Sequence, residues 1–334
     1  MNKMKWMGVA LALLVSSTCV TAAEVEVVSE GLYNPCGVAV QPETGHVFVA
    51  DSGNLKVVRI VDGEPQDVIV DFGTDVYGKG PKYQVGPLGI AFLDTNTLVV
   101  GGGGSPDGEE KLYAFTVPAV GEPAIKASEA NSAMNLAPGD EIKGEGNFYA
   151  LAVTNDAVYV TCNGDDTKGW VSKATRDGNK LASFERYLAT KEAVEVDAPV
   201  GITVSPDGHL VVGQMGEITV PEDGLVTFYR PNDGKMLANF PIGLSDITGL
   251  AYSPGGQLYA IDFCWNDTTK GGLFQLIRDE NDAAVAKPQK VSELDKPTAM
   301  AFDAEGTLYV TVVGSGEGED TSGAGKLLKI TGLK

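Results

Sequence analysis

The sequence predicts an all-β fold, a six-bladed β-propeller, from three observations. One apolar strand-turn-strand pattern recurs six times, long amphipathic helical patterns are missing, and 42 Gly with 17 Pro punctuate the chain. A repeat of about fifty residues whose strands are apolar on both faces is satisfied by small sheets stacked around an axis. A two-sheet sandwich does not account for self-similarity running from residue 30 to 331.

Each copy opens with a strand carrying a small residue at its third position: Gly37, Gly89, Ala150, Gly201, Gly249 and Ala299. A second strand follows, as in His46–Asp51, Ala157–Thr161 and Thr307–Thr311. Between them lie turn sequences such as Pro42-Glu-Thr-Gly45, Ser205-Pro-Asp-Gly208 and Ser253-Pro-Gly-Gly256, which supply the fixed φ of Pro or the positive φ of Gly that a reversal needs. Third strands are expected at Leu55–Ile60, Lys111–Val117, Trp170–Lys173, Leu225–Tyr229, Leu273–Leu276 and Lys326–Ile330. The last copy ends at Lys334 with no room for a fourth strand, while Glu24–Ser29 alternates like a spare one. This N-terminal strand is expected to complete the last blade and close the ring. The stretch Pro118–Asn147, weak in strand residues, reads as an excursion between blades 2 and 3.

Residues 1–23 have the form of a secretory signal: Lys3 and Lys5, an apolar run from Met7 to Val15, then small residues ending at Ala22-Ala23. The apolar run is shorter than the roughly 20 residues a membrane span requires. The expectation is cleavage near Ala22 or Ala23 and a secreted or periplasmic protein, with residues 24–334 forming one propeller domain. Removing the segment takes the formal charge from −20 to −22, because it holds two lysines and no acid. Such a chain does not bind nucleic acid through phosphates, and self-repulsion favours a monomer. Cys36, Cys162 and Cys264 would remain, an odd number that cannot form a complete disulfide framework.

The segment Asn34–Asn54 with its Ala50-Asp-Ser-Gly-Asn54 ending, followed by Val57-Val-Arg-Ile60, resembles an NHL repeat; the other five copies keep the strands and turn but not that ending. In blade layout the chain also resembles the gluconolactonase/regucalcin and strictosidine-synthase-like propellers. The resemblance to the gluconolactonase/regucalcin family implies a divalent cation on the axis, held by a Glu, an Asn and an Asp just before the small residue of the first strand. The matching positions here are Cys36, Leu88, Tyr149, Val200, Thr248 and Thr298. None is a carboxylate or amide, so that metal site does not carry over. The only histidines, His46 and His209, sit at equivalent turns of blades 1 and 4 and cannot converge on one centre. No catalytic residue is identified.

Function is therefore expected on the face where second-to-third-strand loops meet the starts of the first strands. These loops are rich in Gly and acids. The candidate binding residues are Cys36, Asp51, Asn54, Tyr149, Asn163, Asp165, Asp166, Gln214, Glu217, Asp262, Trp265 and Asp267, with Phe263 and Trp170 as further aromatic platforms. For Asp51, Ser52 and Asn54 the short side chains favour capping of their own loop over contact with a ligand. Three readings stay open: a solvated acidic rim, a binding face for a small molecule or a cationic protein or peptide, and calcium held by Asn163–Asp166 or by Glu317–Asp320. The reading chosen is an exported, non-catalytic binding propeller without a cofactor. The alternative is a divergent metal-dependent lactonase or esterase of the gluconolactonase type.

Overall fold

A computed structural model describes residues 23–78, 81–164, 168–278, 286–316 and 320–334. The signal-like segment up to residue 22 lies outside the described residues, as do Asp165, Asp166, Glu317 and Glu319.

Six antiparallel sheets each run outward from a first strand: Pro35–Val40, Pro87–Asp94, Phe148–Val153, Pro199–Val204, Ile247–Tyr252 and Pro297–Phe302. These first strands pack against one another in cyclic order, blade 6 returning to blade 1, so they surround the axis. Their repeated small residue has a steric cause. A Cβ on Gly37 would lie 2.2 Å from the Leu88 carbonyl oxygen, and one on Gly89 would lie 2.6 Å from that of Tyr149. Only a residue with little or no side chain lets six strands crowd one axis. Threonines join neighbouring blades there: Thr248 Oγ1 donates to the Pro297 carbonyl at 2.8 Å, and Thr298 Oγ1 to that of Pro35 at 2.6 Å.

Second strands such as Val47–Asp51 are buried throughout, because each blade is covered on both faces by its neighbours. The tight reversals appear where the Pro/Gly sequences put them, with Gly208 at φ 80° and Gly256 at φ 81°. Closure occurs as expected. Glu24–Leu32 pairs antiparallel with Gly325–Thr331, Glu24 opposite Thr331 and Ser29 opposite Leu327, and becomes the outer strand of blade 6.

The stretch 118–147 is not a mere excursion. Ser132–Met134 forms the outer strand of blade 2, and Ile125–Lys126 pairs in parallel with the outer strand of blade 1 at Ile69 and Val70. Both pieces are too short to register as strands in the sequence, and their pairing is set by the edges they cover. A second feature has no counterpart in the repeat: a hairpin of Asp75–Tyr77 and Tyr83–Val85, inserted between blades 1 and 2.

Candidate functional site: a lidded chamber on the axis

The six side chains that precede the crowded small residues all line one cavity at the start of the first strands: Cys36, Leu88, Tyr149, Val200, Thr248 and Thr298. Tyr149 forms its floor. Its hydroxyl crosses the axis from blade 3 and donates to the Thr298 carbonyl of blade 6 at 3.2 Å. Below Tyr149 the channel continues as a separate narrow space lined by Gly37, Gly89, Ile202 and Met300.

The inserted hairpin forms the roof. It contributes Tyr77, Tyr83 and Val85, and Tyr83 packs against Phe263, Trp265 and Val313 of blades 5 and 6. The hairpin thus starts beside blade 1 and reaches across the mouth. It is fastened at its base by Asn34 Nδ2 donating to the Gln84 carbonyl at 2.8 Å, and Gly86 N–H donates to Ser52 Oγ at 2.8 Å. On the blade 3 side Asn163 Nδ2 donates to the Tyr77 hydroxyl at 3.0 Å.

The cavity volume is about 60 Å³, several times the roughly 10–15 Å³ that one water needs and a scale suited to a small group rather than a protein surface. Its wall holds five aromatic rings (Tyr77, Tyr83, Tyr149, Phe263 and Trp265), three asparagine amides (Asn34, Asn147 and Asn163) and no charged side chain. The rings are ordered against each other. Tyr83 stands at 85° to Trp265 with centroids 5.6 Å apart, and Phe263 stacks on Trp265 at 4.9 Å, both favoured aromatic geometries.

Carboxyls lie one layer behind this wall. Asp246 is 1% exposed and accepts the Trp265 backbone N–H; burial raises the Tyr77 hydroxyl's pKa, and the Asp246 charge adds to that rise. Burial pushes Asp246 itself up to about 6, against the opposing hydrogen bond from Trp265. Glu110 accepts the N–H of Asn147, and burial pushes it up to about 8. Burial also raises the Cys36 thiol to about 12, so it remains a protonated, unreactive wall group.

The structure separates the sequence candidates into three sets. Cys36, Tyr149, Asn163 and Trp265 line the chamber, as does Phe263. Asp51, Gln214 and Asp262 are buried bonding groups, not parts of an open face. They end the second strands of blades 1, 4 and 5 and pair there with the first residue of the inner strand, so one repeat position serves all three. Asp262 accepts N–H bonds from Ser245, Asp246 and Cys264 at 2.8–2.9 Å. Asp51 accepts from Tyr33 N–H at 2.8 Å and from Asn54 Nδ2 at 2.8 Å, and Gln214 donates to the Val196 carbonyl and accepts from Thr227 Oγ1. The third set, Asn54, Glu217 and Asp267, belongs to the outer loops; Asp267 is occupied with Thr269 and Lys270. Trp170 is away from the chamber, packed into the core between blades 2 and 3.

The roof residues Tyr77, Tyr83 and Val85 and the amides Asn34 and Asn147 are the site members that the repeat pattern does not mark. Tyr77 and Tyr83 flank a short hairpin outside the repeat, and no periodicity connects them to the axis. Among the described residues no group of three or more His, Cys, Asp or Glu is arranged to hold a metal ion, and no helix is long and apolar enough to cross a membrane.

No family model matches the chain, and no curated protein matches it in sequence. Solved structures do match over nearly the whole length. An aldose sugar dehydrogenase from Streptomyces coelicolor in its PQQ-bound form is 16% identical with a TM-score of 0.61, covering 92% of this chain and 98% of that one. A gluconolactonase from Xanthomonas campestris is 14% identical at a TM-score of 0.58, covering 93% and 90%. A luciferin-regenerating enzyme is 13% identical at 0.63, covering 93% and 96%. At these identities the likeness establishes the six-bladed propeller architecture, and chemistry has to be argued from the chain's own residues.

Proposed function

We propose that this chain is an exported, non-catalytic binding protein that captures a small molecule in the axial chamber, with its acidic loops concentrating cations at the mouth. The observation that carries this reading is the composition of the wall: five rings and three amides, with no charged side chain. Apolar surface with a few placed polar groups is the usual make-up of a small-ligand pocket. The acidic loops contribute by field rather than contact, since a formal charge of −20 raises the local concentration of positive solutes. Export rests on the N-terminal sequence up to Ala23, and N-terminal sequencing of the protein from its native host tests it.

The test of the chamber is a thermal-shift screen of small metabolites on the parent and on Leu88→Trp, which fills the cavity from blade 2. Ligands that stabilise the parent should lose their effect in the variant. Equal stabilisation of both proteins would move the binding site elsewhere.

The hydrolase alternative draws its support from the names of similar propellers. The axial positions Cys36, Leu88, Tyr149, Val200, Thr248 and Thr298 offer no carboxylate to a hard cation, so binding is the preferred reading. Lactone hydrolysis that disappears on chelation would establish the hydrolase in place of our reading.

A further inference from the structure

The polar groups of the chamber wall are spent unevenly. Thr248, Thr298 and Tyr149 each give their hydroxyl proton to a backbone carbonyl. Asn34 Nδ2 goes to the Gln84 carbonyl, and Asn147 Nδ2 to that of Asn163 at 3.2 Å. Those carbonyl partners fix which end of each amide is nitrogen, and among the described residues no donor reaches either Oδ1. Each of these amides therefore keeps its oxygen as an acceptor and one N–H, and the wall keeps its ring faces.

An anion is best held by a cation, and no cationic side chain lines the wall. Lys296, the cation beside Val313, is tied to Asp295, the Gly314 carbonyl and Ser315 Oγ. Ring faces and amide oxygens match a positively charged group whose surface is apolar. The perpendicular Tyr83 and Trp265 rings form two walls of a corner for such a group, and the buried carboxyl of Asp246 accepts the Trp265 backbone N–H.

We propose that the chamber is a site for an organic cation bearing a methylated ammonium head, held between Tyr83 and Trp265 and enclosed by Tyr77 and Tyr149. This inference rests on the chamber being the binding site, and goes beyond it by naming the ligand's chemistry. The neutral carbon isostere of such a ligand has the same shape without the charge.

The experiment is calorimetric titration of the full chain with choline, with tetramethylammonium, and with 3,3-dimethylbutan-1-ol as the uncharged match to choline. The two cations should bind and the alcohol should bind about tenfold more weakly or not at all, the difference being the cation–ring attraction. Trp265→Phe should keep most of the affinity, and Trp265→Leu should lose about tenfold while retaining the parent's thermal unfolding midpoint within a few degrees. Equal binding of choline and the alcohol overturns the assignment of charge but leaves the chamber reading intact. No binding of either cation at millimolar concentration also overturns it; the Leu88→Trp screen then decides separately whether the chamber binds anything.

Discussion

The Tyr149 hydroxyl and the Thr298 carbonyl, from opposite blades, meet across the propeller axis at 3.2 Å. This contact converts a through-channel into a closed chamber with a floor. It also joins blades 3 and 6, which share no sheet edge.

Tyr149→Phe should cost about 1 kcal/mol, the usual net value of one hydrogen bond. Tyr149→Ala should cost about 3–5 kcal/mol, as for other large-to-small changes at a packed aromatic, and should join the chamber to the space beneath it. Urea denaturation measures both. An alanine variant as stable as the parent would show that the floor carries no packing energy.

Asp262→Ala removes the acceptor for three backbone N–H groups at once. Hydrogen bonds to charged groups contribute about 1.5–3 kcal/mol each, so a loss of about 3 kcal/mol or more is expected. Glu217→Ala, on an exposed loop, should stay within about 0.5 kcal/mol of the parent. Comparable losses for the two would contradict the separation of brace residues from rim residues.

Closure of the ring depends on an outer strand contributed from the other end of the chain. Leu32, 1% exposed where that strand enters the core, should cost about 2–5 kcal/mol when replaced by Ala. Deleting residues 24–32 would uncover the edge of Gly325–Thr331 and should produce concentration-dependent self-association, since an unpaired strand edge is a template for another chain. Size-exclusion chromatography reads this directly; a monodisperse deletion variant would contradict it.

Glu110 gives a pH signature. A carboxyl whose pKa is higher folded than unfolded contributes stability that is complete below its unfolded value and lost as pH rises through its folded value. Burial holds Glu110 up at about 8, so the melting temperature should fall between roughly pH 5 and pH 8. Glu110→Gln should flatten that slope, while the general repulsion among the excess acids persists in both proteins. Parallel slopes for parent and variant would mean that Glu110 titrates as an ordinary carboxyl.

Much of the architecture was legible in the chain because it is local and repeated. Gly37, Gly89 and Gly201 mark where six inner strands crowd, and Glu24–Ser29 alternates as a strand needing a partner. The candidate site was legible only in part. Cys36 and Tyr149 were found because the repeat assigns them an axial position. Asp262 was marked as an open acid, since nothing in the sequence distinguishes a carboxylate turned onto three backbone N–H groups from one facing water, whereas capping of its own loop was the role favoured for Asp51, which accepts from Asn54. Ser132–Met134 gave no strand signal, because a three-residue edge is defined by the partner it covers.

The amino-acid order alone determined the number of blades, the tight reversals and the strand that seals the ring, because each follows from a short-range pattern of apolar residues and turn formers. Only the tertiary structure decided that a hairpin outside the repeat roofs the axis, that Tyr149 closes it from below, and that Asp246 holds the Trp265 backbone N–H. Those relationships join residues far apart in the chain, and their geometry is set by how six sheets pack together rather than by any one segment's preference.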